Sequence, residues 1–431
     1  MRSPFVQWLM ELPPVLNHSD LMRPPTGSPP AADDSETDLI LQDLRHAPSL
    51  AACVGWSPPE IWVVLTHASG DNDQCLALAE ALCLPFRCIH LNWPACSREV
   101  DRARLMALLR EDLPGRMWRA ANSLHAPWPR LIICCGRRAG GLAFWIKRQS
   151  GGRAKVVTIG RAHRSLADYD LVVAPPQYML PERANVIHLP ILMGRPRTEI
   201  RAEPILASKP WFTLLLGGRV KQFVTSEAAL RQAALRAALA AERTGGSVIV
   251  SASRRTPPWL LAAAEGELTA PMVYRWTGPG AENPYATLLQ QSTAVFVTGD
   301  SPSMIWDACR AGAPTYLIEL PDRRDIRRLW RRGLYDLIRN MARLLREAGL
   351  QGAARSVDRA QDWLHASRIL RYPRDLRRFH AKVYEMGLAR PAADFDPAAI
   401  PARRDVDALP DASAIRAVLE RCLAWLSPHK P

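Results

Sequence analysis

Three stretches of this chain join the ends of apolar runs to glycine, hydroxyl or cationic residues, a combination suited to phosphate chemistry. Leu216-Gly217-Gly218-Arg219-Val220-Lys221 places two glycines and a lysine where a strand should end. Glycines let backbone amides approach a diphosphate closely, and Lys221 adds charge; Gly-Gly after a strand is also a common tight turn. Ser251-Ala252-Ser253-Arg254-Arg255-Thr256-Pro257 ends the next apolar run. Arg254 and Arg255 offer forked donors for a diphosphate, or the salt bridges of an ordinary surface. Val297 to Pro314 reads as a strand end, a polar turn, a short helix stopped by Gly312 and a new strand after Pro314. Ser301 or Ser303 would cap that helix, leaving free N–H groups that attract an anion. Asp307, one turn further in, is a carboxylate placed to grip hydroxyls, or a solvated side chain. A phosphate cradle beside a diol-binding carboxylate is what a nucleotide sugar requires.

The elements that must position these loops form a regular alternation. Apolar runs occur at Ile61–Thr66, Phe86–Leu91, Leu131–Cys135, Val156–Ile159, Leu171–Ala174 and Val186–Leu189, with helical patterns such as Gln74–Leu82 and Arg102–Leu109 between them. A second set runs through Phe212–Leu216, Val248–Ser251, Met272–Trp276, Val295–Thr298 and Thr315–Ile318; its clearest helix, Ser226–Arg243, carries Leu230, Leu235, Leu239 and many alanines. Continuous apolar strands alternating with helices indicate parallel sheets covered on both faces. The fold expected is α/β, with two Rossmann-like doubly wound domains facing a cleft and a helical C-terminal extension. The polar stretch Gly194–Pro210 separates the two sets. The boundaries expected are a flexible leader over 1–58, with one short helix around Asp38–Leu44, an N-terminal domain over 59–200, a C-terminal domain over 201–345, and the extension over 346–431. Every informative loop follows a strand, at the sheet edge where ligands bind in such folds.

Composition narrows the function classes. The chain has 431 residues, 48% hydrophobic and 23% charged, with a net charge of +14. That excess suits anionic partners such as nucleotides or a membrane face, and no motif for nucleic acid is visible. No run of about 18 apolar residues indicates a spanning helix. The start of the chain lacks a convincing signal peptide, so a cytoplasmic protein is expected. The nine cysteines are odd in number and form no Cys-x-x-Cys pair, so reduced, packed thiols are expected, without a zinc site. Between Arg323 and Arg346 lie nine arginines interleaved with Leu329, Trp330, Leu334, Leu337, Ile338, Leu344 and Leu345. This reads as a basic amphipathic helix pair lying on anionic lipid, or as a solvated helical face.

Several pieces together resemble the ELM-type mitochondrial fission family. They are Gly70 to Gln74 with Leu78-Ala79-Glu80-Ala81-Leu82, Cys135-Gly136-Arg137-Arg138-Ala139, Asp170 to Pro175, Asn185-Val186-Ile187, Leu216-Gly217-Gly218, Ser251 to Pro257, Asn283-Pro284-Tyr285, Asp300 to Asp307, and Arg377-Arg378-Phe379-His380 through Gly387. More distantly the chain is similar to GT-B glycosyltransferases and to UDP-N-acetylglucosamine 2-epimerases.

The resemblance implies a nucleotide-sugar site in the C-terminal domain. Gly217, Gly218, Ser253, Arg254 and Arg255 would hold the diphosphate, Ser301 and Ser303 would support it, and Asp307 would meet the ribose where glycosyltransferases of this fold carry a Glu. Trp276 and Thr277 would border the base. The N-terminal domain would take the acceptor. Asp71, where the family often has His, would serve as general base, with Asp73 and His67 behind it, or Asp71 would simply cap the Gln74–Leu82 helix. Arg137 and Arg138 would meet an anionic acceptor, or form a salt-bridged surface. The activity expected is transfer of a sugar from a nucleotide sugar, UDP-linked, to a lipid or cell-envelope glycan acceptor, with no cofactor beyond that co-substrate and no metal, because helix dipole and arginines can neutralise the diphosphate. A peripheral place on the inner membrane follows. A nucleotide-sugar epimerase and a non-catalytic membrane-associated scaffold are the alternatives.

Overall fold

The computed structural model describes residues 43–44, 60–66, 68–91, 124–195, 205–269, 271–276, 284–367, 370–399, 402–404 and 413–426. Most of the leader, His67, the helix expected at Arg102–Leu109, residues 196–204 of the polar connection, and Thr277 lie outside them.

Apolar runs that alternate with helices build two sheets. The first holds β1 (Asp43–Leu44), β2 (Ile61–Leu65), β3 (Phe86–His90), β4 (Leu131–Cys135), β5 (Lys155–Ile159), β6 (Leu171–Ala174) and β7 (Val186–His188), in the order β1-β3-β2-β4-β5-β6-β7. The second holds β8 (Trp211–Leu216), β9 (Ser247–Ala252), β10 (Met272–Arg275), β11 (Ala294–Thr298), β12 (Thr315–Ile318) and β13 (Ala389–Pro391), in the order β10-β9-β8-β11-β12-β13. All neighbours are parallel except β1, which pairs antiparallel with β3 where a short helix is expected from the sequence. β13 escapes the sequence reading because it is three residues long and ends in Pro391. Proline lacks an N–H and is confined to sheet edges, which is where β13 lies.

The helices are α1 (Ser69–Ala81), α2 (Gly136–Gln149), α3 (Glu227–Thr244), α4 (Pro258–Glu265), α5 (Tyr285–Gln291), α6 (Pro302–Arg310), α7 (Ile326–Glu347), α8 (Gln351–Ala366), α9 (Leu376–Glu385) and α10 (Ser413–Leu426). They cover both faces of each sheet. Along β2, Trp62 and Val64 point into the core shared with α2, whereas Ile61, Val63 and Leu65 join α1 and α10. Burial on both sides explains why β2 reads as an unbroken apolar run. In the second sheet α3 and α4 cover one face, and α6 and α9 the other.

The stretch from 323 to 346 forms one long helix, α7, rather than a helix pair. After β12 the chain returns to the first sheet. Tyr335 of α7 enters the α2-side core, and Arg183 pairs with Asp358 of α8 at 2.8 Å. It then comes back as α9 and β13, and ends on the first sheet again as α10, whose last carbonyls, Trp425 and Leu426, accept from Arg130 at 2.6 and 2.8 Å. The C-terminal elements thus divide between the two sheets and tie them together.

The core-facing side of α3 is built mainly of alanine. Leu235 and Leu239 are half exposed, and Leu230, Ala233, Ala234, Ala237, Ala240 and Ala241 form the buried face. Small side chains let the helix axis lie close to β8 and β9. Ser226 caps its start through the Ala229 N–H, and Gly245, at φ +67°, ends it in the left-handed conformation. Ala237→Leu is therefore expected to overpack this interface and to cost about 1–3 kcal/mol, whereas Leu239→Ala should change stability by about 0.5 kcal/mol or less. Urea unfolding of the two variants checks the ranking, and the opposite ranking would contradict the assigned face.

Candidate functional site

Strand order reverses between β8 and β11 in the second sheet, and between β2 and β4 in the first. At such a reversal the outgoing loops diverge to opposite faces and leave a crevice at the carboxyl ends of the strands. The candidate residues gather at these two places. A broad hollow lined by Phe144, Lys147, Arg148, Gly152, Arg164 and Asp168 lies elsewhere, beside the turn that enters the amino end of β5, and contains none of them.

At the second switch point the organising group is Asp300, just beyond β11. Its carboxylate is 2% exposed. Oδ2 accepts the Gly218 N–H at 2.8 Å, and Oδ1 accepts the Thr298 hydroxyl at 2.7 Å. Thr298 in turn accepts the Gly217 N–H at 2.7 Å, and Arg255 reaches Oδ2 at 3.4 Å. Burial nonetheless pushes the Asp300 carboxyl above its ordinary value, outweighing these donors and the Arg255 charge. The amides of Gly217 and Gly218, expected from the sequence to face a diphosphate, are thus engaged by the protein itself. The glycines serve close packing instead: a Cβ on Gly217 would collide with the Asp300 carboxylate, and one on Gly218 with the Arg255 carbonyl.

The β9 loop is held in the same way. Thr256 Oγ1 lies 2.7 Å from the carbonyls of both Leu216 and Gly217 and accepts the Ser253 N–H at 2.9 Å. Ser253 Oγ accepts the Arg255 N–H at 3.3 Å, so Ser253 shapes the turn. The cations stay outside this knot. Arg219, Lys221 and Arg254 are exposed, and among the described residues none pairs with a carboxylate. Trp276, half exposed, stands beyond the β10 edge. At the start of α6, Ser301 occupies the cap position without making the expected side-chain bond, Pro302 has no N–H, and Ser303 lies inside the first turn. No side-chain cap hydrogen bond forms at this helix start, where Ser301 and Pro302 are buried and Gly70 packs against Ser303. Asp307 is buried and accepts the Tyr285 hydroxyl at 3.2 Å.

At the first switch point α1 begins at Ser69, five residues before the expected Gln74, because Asn72 closes the turn. Its Oδ1 accepts the Thr66 N–H at 2.8 Å, and its Nδ2 donates to the Thr66 carbonyl at 2.6 Å. Asp71 thus sits in the first helical turn, and the cap position belongs to Ala68. Asp71 hydrogen-bonds the buried Cys135 thiol at the end of β4, and burial first, then the Asp71 charge, pushes that thiol up. Asp73 is partly exposed in the same turn, and Gln74 donates to the Gly70 carbonyl at 3.3 Å. Arg137 and Arg138 stand in the first turn of α2. The two switch points meet, since a Cβ on Gly70 would collide with Ser303 Oγ, and the far end of α6 is tied to the first sheet by Arg310, which donates to the Gly194 carbonyl beyond β7. The structure therefore brings Asp71 beside the start of α6.

Several members of this assembly were invisible as such in the sequence. His380 of α9 stacks on Phe223 and reaches the Gly299 carbonyl at 2.7 Å through Nε2, which must carry the proton. Gln222 donates to Asp375 at 2.7 Å and accepts the Leu376 N–H at 2.8 Å, and Asp375 pairs with Arg332 at 2.7 Å. Thr298 and Asp300 had a signal, polar residues flanking Gly299 at a strand end. Gln222 and Asp375, 153 residues apart, had none.

A family model described as mitochondrial fission ELM1 matches residues 69–353, well over half of the chain and all three strand-end loops of the second sheet. The chain belongs to this family. An ELM1-family relative, the mitochondrial fission protein ELM1 of Arabidopsis thaliana, is 25% identical over 244 residues, which cover 50% of this chain and 57% of that protein. Among solved structures, the chain is similar to MurG of Acinetobacter baumannii (11% identity, 85% of this chain, 91% of that one, TM-score 0.37). It is also similar to a UDP-N-acetylglucosamine 2-epimerase of Listeria monocytogenes (11% identity, 61% and 79%, TM-score 0.38).

Removal of the organising carboxylate is a direct test of the loop network in this ELM1-family chain. Asp300→Ala would leave the Gly218 N–H and the Thr298 hydroxyl buried without an acceptor, and is expected to cost on the order of 3 kcal/mol. Asp300→Asn keeps one acceptor oxygen and should cost less; equal losses in urea unfolding would contradict the network. The buried imidazoles give a second test. Burial lowers the pKa of His365, to about 4, and that of His380. Below about 6.5 the unfolded chain takes up protons that the folded one refuses, so stability should fall as pH drops towards 4. The loss is up to about 1.4 kcal/mol per pH unit for each histidine. A profile of unfolding free energy against pH that stays flat over this window would refute the assignment.

Proposed function

We propose that this chain is a glycosyltransferase of the GT-B type, which moves a sugar from a UDP-linked nucleotide sugar to a lipid or cell-envelope glycan acceptor. The observation that carries this reading is the set of exposed cations Arg219, Lys221 and Arg254, none paired with a carboxylate among the described residues, on loops that meet the start of α6 at the second switch point, where no side-chain cap bond forms. Cationic donors at strand ends beside a helix N-terminus without a side-chain cap suit a diphosphate leaving group. Asp307, held by the Tyr285 hydroxyl, is the acceptor for ribose hydroxyls, and Trp276 borders the base. Across the contact between the sheets, Asp71 takes the proton from the acceptor hydroxyl, and Arg137 and Arg138 meet the acceptor's charge.

α7 supports an acceptor at a membrane face. No helix among the described residues is long and apolar enough to cross a membrane. Yet Ile326, Leu329, Trp330, Leu337, Met341 and Leu344 are all exposed, with Trp330 at 69%. At 3.6 residues per turn they fall in one stripe about 120° wide, opposite the buried Tyr335 and Ala342. Arginines flank the stripe on both sides, so the helix turns an apolar face with basic edges to the solvent, the pattern of helices that lie in a lipid interface.

The experiment is a thermal-shift panel of UDP-, GDP-, ADP- and CMP-sugars, with product analysis with and without acceptor lipids. UDP-sugars are expected to raise the melting temperature, and Arg254→Ala to remove that shift. Asp71→Asn should lower turnover at least tenfold while leaving UDP affinity intact. No shift with any nucleotide sugar would favour a scaffold, and sugar conversion without acceptor would favour an epimerase. In parallel, Trp330→Glu with Leu337→Glu is expected to abolish sedimentation with anionic vesicles; unchanged sedimentation would remove the membrane-face assignment.

A further inference from the structure

A second set of basic side chains surrounds Tyr178, close to Asp71. Arg161 and His163 lie in the turn that follows β5, where Gly160, at φ +92°, packs so tightly on Tyr178 that a Cβ would come within 3.0 Å of the ring. Arg371 and Arg374 arrive from the segment between α8 and α9. That segment is pinned by the Met179 N–H to the Pro373 carbonyl at 3.2 Å and by an antiparallel bridge between Tyr178 and Arg374. The Arg374 guanidinium lies 5.8 Å from the centre of the Tyr178 ring. Tyr178 lies within electrostatic reach of Arg374 and Arg161 and also of Cys135 and Asp71, the proposed base.

These charges are not compensated by the protein. Among the described residues no carboxylate pairs with Arg161, Arg371 or Arg374. The Nε atoms of Arg161 and Arg374 are buried and have no hydrogen-bond partner. Burying a guanidinium donor without an acceptor is costly, and assembling three like charges adds repulsion. His163 registers the field: burial, then Arg161, Arg137 and Arg371, hold its imidazole down to about 3, so it adds no further charge. An anion in this group would supply the missing acceptors and offset the like charges.

We propose that Arg161, Arg371 and Arg374, with Arg137 at the rim, form a receptor for a doubly charged phosphoryl group carried by the acceptor. Three guanidinium groups without a carboxylate call for more than one negative charge, which a phosphate monoester or a pyrophosphate supplies and a single carboxylate does not. Guanidinium forks also match paired phosphoryl oxygens. The proposal rests on the assignment of the first sheet to the acceptor, and makes that acceptor a phosphorylated molecule. The same chemistry is offered by a lipid headgroup and by a soluble phosphate.

Isothermal titration of the full chain with inorganic pyrophosphate, in an Arg254→Ala background that disables the nucleotide loops, tests the receptor. Binding is expected, with at least a tenfold loss on Arg371→Gln, an exposed substitution that should leave folding intact. Arg161→Gln with Arg374→Gln should abolish it, and an unchanged melting temperature in the absence of ligand confirms that these variants fold. Monomeric dihexanoyl phosphatidic acid, run beside inorganic phosphate, separates the sources: tighter binding of the lipid identifies a headgroup, equal binding a soluble phosphate, and both are expected to depend on Arg371. Pyrophosphate affinity that is the same with and without these arginines would overturn the receptor. The nucleotide site is read separately, by UDP titration of the chain with Arg254 intact. Loss of UDP binding alone would sink the nucleotide-sugar reading and leave the receptor standing.

Discussion

The three loops at the second switch point leave different strands, and what holds them in one geometry is the buried carboxylate of Asp300. It collects the Gly218 amide, the Thr298 hydroxyl and the Arg255 guanidinium, and through Thr298 it also fixes Gly217. Burial pushes its carboxyl up, so the ionised form is costly and survives through these donors. The consequence reaches the surface. Because Asp300 and Thr256 hold the loop backbones through hydrogen bonds, Arg254 and Lys221 are carried next to hydrogen-bonded turns. A site that must neutralise a diphosphate gains from such preorganisation, since its charges need not be gathered at the moment of reaction.

A second constraint acts over longer distances. The chain passes from the second sheet to the first through α7 and α8, returns through α9 and β13, and ends on the first sheet with α10. These crossings place Gln222, Asp375 and Arg332 in one ion-paired cluster and bring His380 against the Gly299 carbonyl. They also deliver Arg371 and Arg374 to Tyr178. Both switch points thus depend on residues from the C-terminal part of the chain, although their loops belong to the two sheets.

This division explains what could be read in the sequence. Leu131–Cys135 and Thr315–Ile318 were legible residue for residue, because parallel strands buried on both faces are continuous apolar runs. The site loops were legible because glycine, hydroxyl and arginine residues interrupt those runs at the strand ends. The use made of the glycines was not. A Gly-Gly pair that admits a ligand and one that admits a neighbouring carboxylate are identical in sequence, and only the position of Asp300 decides between them. The start of α1 is not legible in the sequence, because an asparagine–threonine turn, not a cap followed by an apolar stripe, begins the helix. Gln222, Asp375, Arg161 and Arg374 were missed because their partners lie far away along the chain. α7 inverts the usual rule, burying Tyr335 and exposing its widest apolar stripe, which is why an arginine-rich run alone could not separate a lipid-facing helix from a solvated one.

Whether the strand-end loops of the second sheet receive a nucleotide diphosphate decides the proposed activity. A crystal structure of the chain grown with millimolar UDP tests it most directly. The diphosphate is expected beside Arg254, Lys221 and the start of α6, with the ribose at Asp307 and the base towards Trp276. UDP bound anywhere else, or an empty crevice at those concentrations, would contradict it.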